Sequence, residues 1–423
     1  MQWASSGTKV QWFTGGAAAP QFQGYNHGAV WREDSVQNLA NDRRKASHMT
    51  ETDLAEIDLA ATIQPTPLAA LLETSSKPHQ LSPYRGVLSP VQLDAPEREI
   101  EALAKDAAVH DLGWLRRVAV HGEDRFRWLS GMITNTVNEL EPRGGAWNLV
   151  LNAQGRVQGD LTVWRENDTL ELDIAADQYE KLKSHLERFI IMDDVELVDL
   201  SGEAALGLTG PAADEVLGRL SLPTLSEPMT GTRVEWIGFD LRILRGYGAL
   251  VPHYELWIPL AGLAKLWLGL RTAAATPVGT AAIEVFRIAE GIPAYGVDIV
   301  ERDLAHETSQ MRALHFNKGC YLGQEVVERV RSRGSVHRHL RQLEIFGPVP
   351  PPGTELHFDD GALDGETAAG HITSAAELAL PTGKRAFALG MIRGSAETRN
   401  QALHYSAATG NGTARILDAA PKL

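Results

Sequence analysis

Cysteine is almost missing from this chain of 423 residues, because Cys320 is its single example. One cysteine cannot form an intrachain disulfide, so nothing indicates an oxidising compartment. Long apolar runs are missing too: no stretch approaches the roughly 18 residues that a membrane-spanning helix requires. The N-terminus lacks the charged-then-apolar order of a secretory signal. We therefore expect a cytoplasmic protein without membrane association.

Positively charged residues are fewer than negatively charged ones. The chain has 40 Lys and Arg residues against 54 Asp and Glu residues, which gives a formal net charge of -14. Such a balance argues against a protein that coats nucleic acid non-specifically, so we expect no stable nucleic-acid binding. The length allows two or three domains with well-formed cores, and we expect a monomer.

The N-terminal part differs from the rest of the sequence. Residues 1–48 carry Trp3, Trp12 and Trp31 without periodicity. We interpret them as an unstructured extension or as sequence upstream of a start at Met49. Residues 49–82 are predicted to form a flexible segment with one short helix.

From residue 83 onward the pattern is that of an α+β protein. We predict one α+β domain over 83–200 and a second over 201–334. Helical spacing of apolar residues predicts a helix over 99–112. Two strands are predicted on either side of a turn at 153–155. Short alternating stretches between Pro and Gly turns predict a small all-β barrel over 335–423.

Cys320 lies in the segment KGCYLGQE, residues 318–325. A lone cysteine is most often a small buried hydrophobic residue; a nucleophilic thiol needs a nearby cation, base or helix N-terminus. Gly319 and Gly323 allow tight turns, and QEVVERV could begin a helix directly after the thiol. One cysteine cannot supply the thiolates of a zinc or iron–sulfur site, so we predict no resident metal.

This segment resembles the K-G-C-[aromatic]-x-G-Q-E signature of the YgfZ branch of folate-binding proteins, relatives of the glycine-cleavage T-protein (GcvT), an aminomethyltransferase. Around the thiol, the matching residues are Lys318, Gly319, Tyr321, Gly323, Gln324 and Glu325. Other segments between residues 83 and 334 are similar to the strands and loops of that family. The resemblance implies an α+β, GcvT/YgfZ-like three-domain cloverleaf with a C-terminal all-β barrel. It also implies tetrahydrofolate, or a one-carbon derivative of it, as the cofactor.

The resemblance assigns roles to residues of a folate site. Glu255 matches the glutamate that accepts hydrogen bonds from the pterin edge; the alternative is a strand glutamate that faces solvent. Arg287 is expected to meet the folate or orient a carboxylate. Tyr295 is expected to line the pocket or to pack in the core. Asn152, like Asn135, is a polar contact of the pocket or a turn residue.

Asp160 matches the catalytic aspartate of the T-protein, which usually has two acidic residues at this place. Here the pair is Gly159-Asp160, so one carboxylate remains to position a substrate amine. Asp160 and Cys320 are the two predicted catalytic residues. Whether the protein is an enzyme at all stays open at this point.

Two functions follow from the resemblance. The first is a tetrahydrofolate-binding accessory protein that supports iron–sulfur cluster assembly or repair and iron–sulfur-dependent tRNA modification, with iron–sulfur enzymes or assembly proteins as partners. The alternative is a folate-dependent aminomethyltransferase or demethylase that transfers a one-carbon unit from an amine. The cysteine motif favours the first, and Asp160 keeps the second open.

Arginines recur after the motif, in ERVRSRGSVHRHLRQ. If they alternate on a strand, these arginines would all face one way and meet a polyglutamate tail, tRNA phosphates or an acidic partner; the alternative is a solvated strand face. They are Arg329, Arg331, Arg333, Arg338 and Arg341. His337 and His339 form an H-x-H pair, but the sequence near them offers no third ligand, so we expect no metal there.

Overall fold

The computed structural model describes residues 63–74, 79–334, 336–358, 368–399, 402–408 and 410–422. The predicted extension over 1–48 lies outside these residues, as does part of the segment over 49–82. No helix in the described part of the chain is both long and apolar enough to cross a membrane.

Strands form most of the regular structure in the described residues. In chain order they are β1 (Leu81–Tyr84), β2 (Val87–Pro90), β3 (Ala108–Asp111), β4 (Leu115–His121), β5 (Gly145–Leu151), β6 (Val157–Arg165), β7 (Leu170–Ala175), β8 (Glu196–Asp199), β9 (Glu203–Thr209), β10 (Thr230–Trp236), β11 (Phe239–Arg245), β12 (His253–Pro259), β13 (Thr276–Pro277), β14 (Arg338–Phe346), β15 (Glu355–His357), β16 (Ala368–Leu380), β17 (Gly383–Arg393), β18 (Leu403–Ala407) and β19 (Gly410–Ile416).

Helices are shorter and lie between the strands. In chain order they are α1 (Pro67–Glu73), α2 (Pro96–Lys105), α3 (Arg125–Met132), α4 (Ala176–Glu187), α5 (Ala213–Arg219), α6 (Leu263–Thr272), α7 (Thr280–Glu290), α8 (Gln324–Arg333) and α9 (Gly394–Arg399). Local sequence explains their ends. Thr66 caps α1 by accepting the N–H of Ala69 at 3.0 Å, and α7 ends at Gly291, whose φ of +71° is left-handed.

Besides the two-stranded sheet of β1 and β2, two larger open sheets come before the barrel. The first has the strand order β5-β6-β7-β4-β8, and the second has the order β10-β11-β12-β9-β3-β13. β3 belongs to the second sheet although it precedes every strand of the first, so the chain leaves the second sheet and later returns to it. All these pairings are antiparallel except β13 with β3.

Strand β7 shows how the sequence covers both faces of the first sheet. Leu170, Leu172 and Ile174 pack in an apolar cluster with side chains of α3 and α4. The alternate residues Glu171 and Asp173 are also buried, and both bind buried arginines. Because side chains alternate along a strand, the two sets face opposite sides of the sheet.

The C-terminal strands close into a barrel of order β14-β17-β16-β15-β18-β19, in which β19 pairs with β14. Its core contains Leu343, Ile372, Ala388 and Leu403. The predicted α+β class with a C-terminal all-β barrel is confirmed.

The helix predicted over 99–112 is wrong in its second half. Helix α2 ends at Lys105, and Ala108–Asp111 is strand β3. This strand pairs with β9 on one side and β13 on the other, and all four of its residues are buried. Pairing within the sheet therefore outweighs the helical spacing of the sequence.

The expectation that the arginines after the motif share a strand is also wrong. Arg329, Arg331 and Arg333 lie on helix α8, which Gly334 ends with a φ of +85°. Two further arginines of that string do lie on β14 and bind carboxylates of the protein: Arg338 with Asp303 and Glu307, and Arg341 with Glu397 and Asp418. His339 also contacts Glu397, at 2.8 Å.

Candidate functional site

A cavity of about 430 Å³ is lined by strands of both open sheets, by α7 and by the loops around them. Its apolar wall includes Trp114, Trp147, Trp164, Leu161 and Phe286. Three predicted site residues, Asp160, Glu255 and Arg287, line this one cavity although they are up to 127 positions apart, from residue 160 to residue 287. Asn135 lines it as well.

Glu255 lies on β12, between Leu244 of β11 and Gly207 of β9. Trp257 Nε1 donates to Glu255 Oε2 at 3.2 Å. Burial and the negative charge of Asp173 raise the pKa of Glu255 to about 7, although Arg117 opposes the rise. Near neutral pH this carboxyl can therefore gain or lose a proton.

Arg117 organises the charges behind Glu255. Its Nε and Nη2 each donate to Asp173 at 2.5 Å, and its Nη1 lies 3.5 Å from Glu171. The guanidinium carbon is 3.7 Å from the centroid of the Trp257 ring. This buried arginine thus joins β4 and β7 of the first sheet to β12 of the second.

Asp160 lies on β6, opposite Leu149 of β5. Trp147 Nε1 donates to its Oδ2, and Gln178 Nε2 donates to its Oδ1, both at 2.9 Å. The backbone N–H of Asp160 in turn donates to Gln178 Oε1 at 3.0 Å. Each carboxylate oxygen is oriented by one donor and keeps lone pairs for a ligand.

Arg287 projects from α7 and is buried. Its Nε and Nη2 donate to Glu284 at 3.0 and 2.8 Å, and its Nη1 donates to Asp298 and to the carbonyl of Ile292, both at 2.7 Å. Burial alone raises the pKa of Glu284, but Arg287 and Arg85 outweigh it and hold this pKa at about 2. Of the two predicted roles, the contacts of Arg287 match the orientation of carboxylates.

Two histidines of the second sheet meet beside the cavity. The hydroxyl of Thr209 lies 3.0 Å from His110 Nε2 and 2.8 Å from His253 Nδ1. Burial, together with the neighbouring His253, lowers the pKa of His110 to about 3, and burial lowers that of His253 to about 4. Both rings are therefore neutral at physiological pH. His110 Nδ1 is buried and has no partner among the described residues.

A second carboxyl with a raised pKa lines the cavity. Glu290, at the end of α7, accepts the N–H of Leu250 at 3.0 Å. Burial raises the pKa of Glu290 to about 7, against the effect of backbone donors and of Arg312. The cavity therefore holds two carboxyl groups that titrate near neutral pH.

Two predicted cofactor residues lie outside the lining of this cavity. Asn152 holds the β5–β6 turn, because its Oδ1 accepts the N–H groups of Gln154 and Arg156, both at 3.0 Å. Tyr295 packs partly buried in another apolar cluster and accepts a hydrogen bond from Lys181 Nζ at 3.2 Å. The turn alternative for Asn152 and the packing alternative for Tyr295 agree with these contacts.

Residues 318–325, which we call the motif segment, lie outside the lining too. Lys318 Nζ donates to the carbonyls of Ile133 and Asn135, both at 2.7 Å. Burial lowers the pKa of Lys318 to about 7. A neutral amine has two N–H donors, the number that these two carbonyls accept.

The other motif residues shape the loop that carries the thiol. Tyr321 is buried, and Gly323 begins α8 with a φ of +82°. A Cβ at Gly323 would lie 2.6 Å from the carbonyl oxygen of Asn152, so only glycine fits there. Cys320 is free and exposed. The remaining members are Gly319, which is exposed, Gln324, which is half-buried, and Glu325, which is exposed in the first turn of α8.

Asn135 connects the motif segment to the cavity. Its carbonyl accepts from Lys318, while its side-chain Nδ2 donates to the carbonyls of Arg312 and Trp147 at 2.9 and 3.2 Å. Both Arg312 and Trp147 line the cavity. Because Asn135 is itself part of the lining, Lys318 of the motif segment contacts the cavity wall directly.

Sequence reasoning missed several cavity residues. Arg85 is one of them. It precedes Gly86 in a turn where both residues have positive φ values, +46° and +86°, and the glycine is the sequence signal that could have marked this turn. His110 was hidden by the wrong helix prediction. Arg117 and Arg312 carry no local signal, since each acquires its partners through tertiary packing. In the described residues, no group of three or more His, Cys, Asp or Glu side chains could hold a metal ion.

Comparison with protein families matches residues 78–318, more than half of the chain, to the GCVT N-terminal domain. A chloroplastic protein of Arabidopsis thaliana that is named as a proposed transferase is 25% identical over 270 residues, which cover 62% of this chain and 61% of that protein. This chain therefore spans less than two thirds of that relative. The aminomethyltransferase of Geobacillus kaustophilus is 29% identical over 292 residues, 66% of this chain and 79% of that protein.

Among solved structures, the crystal structure of glycine cleavage system aminomethyltransferase T from Bartonella henselae superposes with a TM-score of 0.74. The superposition covers 84% of this chain and 97% of that chain, at 19% sequence identity. The predicted GcvT-like fold is confirmed.

Proposed function

Because the chain belongs to the family of the GCVT N-terminal domain, we propose that it binds tetrahydrofolate, or a one-carbon derivative, in the cavity between its open sheets. We propose further that it is an accessory protein of the YgfZ type. In that role it supports iron–sulfur cluster assembly or repair and iron–sulfur-dependent tRNA modification.

The gathering of Asp160, Glu255 and Arg287 at one cavity carries this proposal. A pterin presents adjacent N–H donors on one edge, and a carboxylate accepts such a pair by two parallel hydrogen bonds. Glu255 supplies that carboxylate, and Trp257 orients it through the bond to Oε2. Tryptophan and phenylalanine side chains of the wall supply flat apolar surface for the rings.

In the accessory role, the exposed free thiol of Cys320 contacts a partner protein. Support comes from the match of residues 318–325 to the family motif and from the exposure of Cys320. The partners are iron–sulfur enzymes or assembly proteins, in the cytoplasm, and the protein acts as a monomer without stable nucleic-acid binding.

Aminomethyl transfer to tetrahydrofolate, or demethylation of an amine, is the second candidate function, and Asp160 is the observation that favours it. Its carboxylate lines the cavity, and the donors Trp147 and Gln178 orient both of its oxygens. In this role Asp160 accepts a hydrogen bond from the substrate amine and holds it beside the folate. Relatives named aminomethyltransferase add to its support.

Titration calorimetry with tetrahydrofolate, followed by product analysis with an aminomethyl donor, tests both candidates. Binding without turnover favours the accessory role, whereas turnover that Asp160→Ala abolishes favours transfer. Absence of binding would remove the folate proposal.

Cys320→Ser tests the thiol. We expect unchanged folding and folate affinity, because the side chain is exposed and outside the cavity. We also expect loss of iron–sulfur enzyme activity in a null strain complemented with this variant. Full activity in that strain would rule out the thiol's role.

A further inference from the structure

Arg312 lies in a short 3₁₀ turn, Met311–Ala313, at the cavity. Its guanidinium carbon is 3.6 Å from the centroid of the Tyr247 ring and 4.8 Å from that of the Trp147 ring. Both aromatic side chains line the same cavity. Two cation–π contacts therefore hold a flat cation in place.

The guanidinium of Arg312 forms no hydrogen bond or ion pair with the described residues. Its Nε and Nη1 are closed off from solvent and are without a partner. Buried charged donors are costly to leave unpaired, so this group is suited to an anion that arrives with a ligand.

Neighbouring carboxylates are engaged elsewhere. Both oxygens of Asp160 accept hydrogen bonds from Trp147 and Gln178, and Glu290 accepts the backbone N–H of Leu250. By contrast, the buried Arg117 and Arg287 each bind two carboxylates of the protein. Arg312 differs from them in that no carboxylate of the described residues lies within ion-pair distance of it, although Glu290 and Asp160 are near enough to act on its pKa.

The position of Arg312 suits the far end of an elongated ligand. Tyr247, which stacks on it, is 43% exposed and marks the rim of the cavity. Glu255 lies on the inner strand β12, beside the buried Trp257. A ligand with N–H donors at one end and a carboxylate at the other end complements these two groups.

Given the function proposed above, on which this inference rests, we propose that Arg312 binds a carboxylate of the ligand at the rim while Glu255 binds the donor edge. The carboxylate belongs either to the glutamyl tail of the folate or to an amino-acid amine donor. Arginine suits both sources, because its planar fork matches a carboxylate.

Titration calorimetry on the full chain separates the two ends of the ligand with three probes. Tetrahydrofolate carries both ends, 6-methyltetrahydropterin carries only the heterocycle, and p-aminobenzoyl-L-glutamate carries only the tail. Arg312→Met should weaken tetrahydrofolate and the tail probe by about 10- to 100-fold, the effect of losing charge-assisted hydrogen bonds, and should leave the pterin probe within about twofold.

Three further variants serve as references. Arg312→Lys keeps the charge without the planar fork and should lose less affinity than Arg312→Met. Arg329→Met changes an exposed arginine on α8, outside the cavity, and should alter nothing. Arg85→Met removes another cation of the lining, which stacks on Trp114 at 4.9 Å. Thermal unfolding of each variant checks that it is folded.

A fourth probe, N-methylglycine, shows whether the folate tail or the amine donor supplies the carboxylate. It is titrated in the presence of saturating 6-methyltetrahydropterin. Loss of N-methylglycine binding in Arg312→Met, with tetrahydrofolate unaffected, assigns the carboxylate to the amine donor. Loss of the tail probe assigns it to the folate.

Other outcomes overturn one idea or the other. Unchanged affinity of Arg312→Met for all probes, or a loss that appears in Arg85→Met instead, overturns the role of Arg312. Binding of the tail probe by the unaltered protein without binding of the pterin probe overturns the folate site but supports Arg312. If the unaltered protein binds none of the four probes, both ideas are overturned.

Discussion

The cavity and the motif segment use charged side chains in opposite ways. Asp160, Glu255 and Arg312 line the cavity, which is space that a ligand can occupy. In the motif segment, the amine of Lys318 donates to two backbone carbonyls, and Cys320 is a free thiol at the surface. The polar groups of the first region line a cavity, whereas the amine of Lys318 in the second region holds a loop.

The contrast also concerns how each region is encoded. The eight residues of the motif segment are contiguous, and most of them turn, pack or anchor the chain. The cavity residues are scattered, and their environment arises only when two sheets face each other. The conspicuous sequence motif and the cavity are therefore separate features here, joined through Asn135.

Removing the buried arginine behind the cavity should have the largest effect. Arg117→Met leaves Asp173 buried without its cation, whereas Glu171 keeps Arg242 at 2.5 Å, so we expect the free energy of unfolding to fall by about 3–5 kcal/mol. Urea denaturation followed by circular dichroism measures this loss.

Arg127→Met is the matched control for that experiment. The Arg127 side chain is 70% exposed although it pairs with Asp124 and Asp193. Surface pairs of this kind contribute little to stability, because solvent screens them. Equal losses for Arg117→Met and Arg127→Met would show that buried charge does not hold the cavity together.

Glu255 should produce a smaller effect, on ligand affinity. Because the carboxylate is the form that accepts pterin N–H donors, and its pKa is about 7, tetrahydrofolate affinity should rise as pH increases from 6 to 8. The ionised fraction changes by roughly tenfold over this range. Glu255→Gln should weaken binding by about 1–3 kcal/mol and flatten the pH profile.

Calorimetry at several pH values gives that profile. If the affinity of Glu255→Gln still changes with pH, the pH dependence comes from Glu290, whose pKa is also about 7. Stability has the opposite sign from affinity. A carboxyl whose pKa is raised on folding stabilises the protein below its unfolded pKa, and this contribution is lost as pH rises through about 7.

A substitution in the motif segment should have the smallest effect on ligand affinity. Lys318→Met removes two donors from the carbonyls of Ile133 and Asn135, so local opening of the loop should become easier by about 1–3 kcal/mol. Hydrogen exchange of the amides in residues 315–323 measures this change.

Tetrahydrofolate affinity should stay within about twofold in Lys318→Met, because the segment does not line the cavity. Since burial lowers the pKa of Lys318 to about 7, protection in the unaltered protein should fall as pH drops through that value. A large loss of folate affinity would instead make Asn135 a functional link between the two regions.

Much of the fold was predictable because it depends on local pattern. The β5–β6 turn and the alternating strands of the barrel follow from periodicity and from Gly and Pro positions. Strand β3 was not predictable in this way. Its four buried residues gain their conformation from partners at both edges, about 100 and 170 positions later in the chain.

For the candidate site, family resemblance placed Asp160, Glu255 and Arg287 in one region, and the cavity brings them together. The raised pKa of Glu255 depends on Asp173 and on burial, which no local pattern contains. The stacking of Arg312 on Tyr247 likewise depends on tertiary packing. Residue identity could be predicted, but the electrostatic environment could not.

A bulge in the barrel limits how modular this protein can be. The register of β16 shifts between Ile372 and Ser374, and the hydroxyls of Thr373 and Ser374 both donate to Asp298 Oδ1, at 2.6 and 2.7 Å. The other oxygen of Asp298 binds Arg287 beside the cavity. A gene fragment cut at residue 318, where the family match ends, would lack both hydroxyls. A fragment that is to keep all the contacts of Asp298, through recombination or engineering, therefore has to include the barrel.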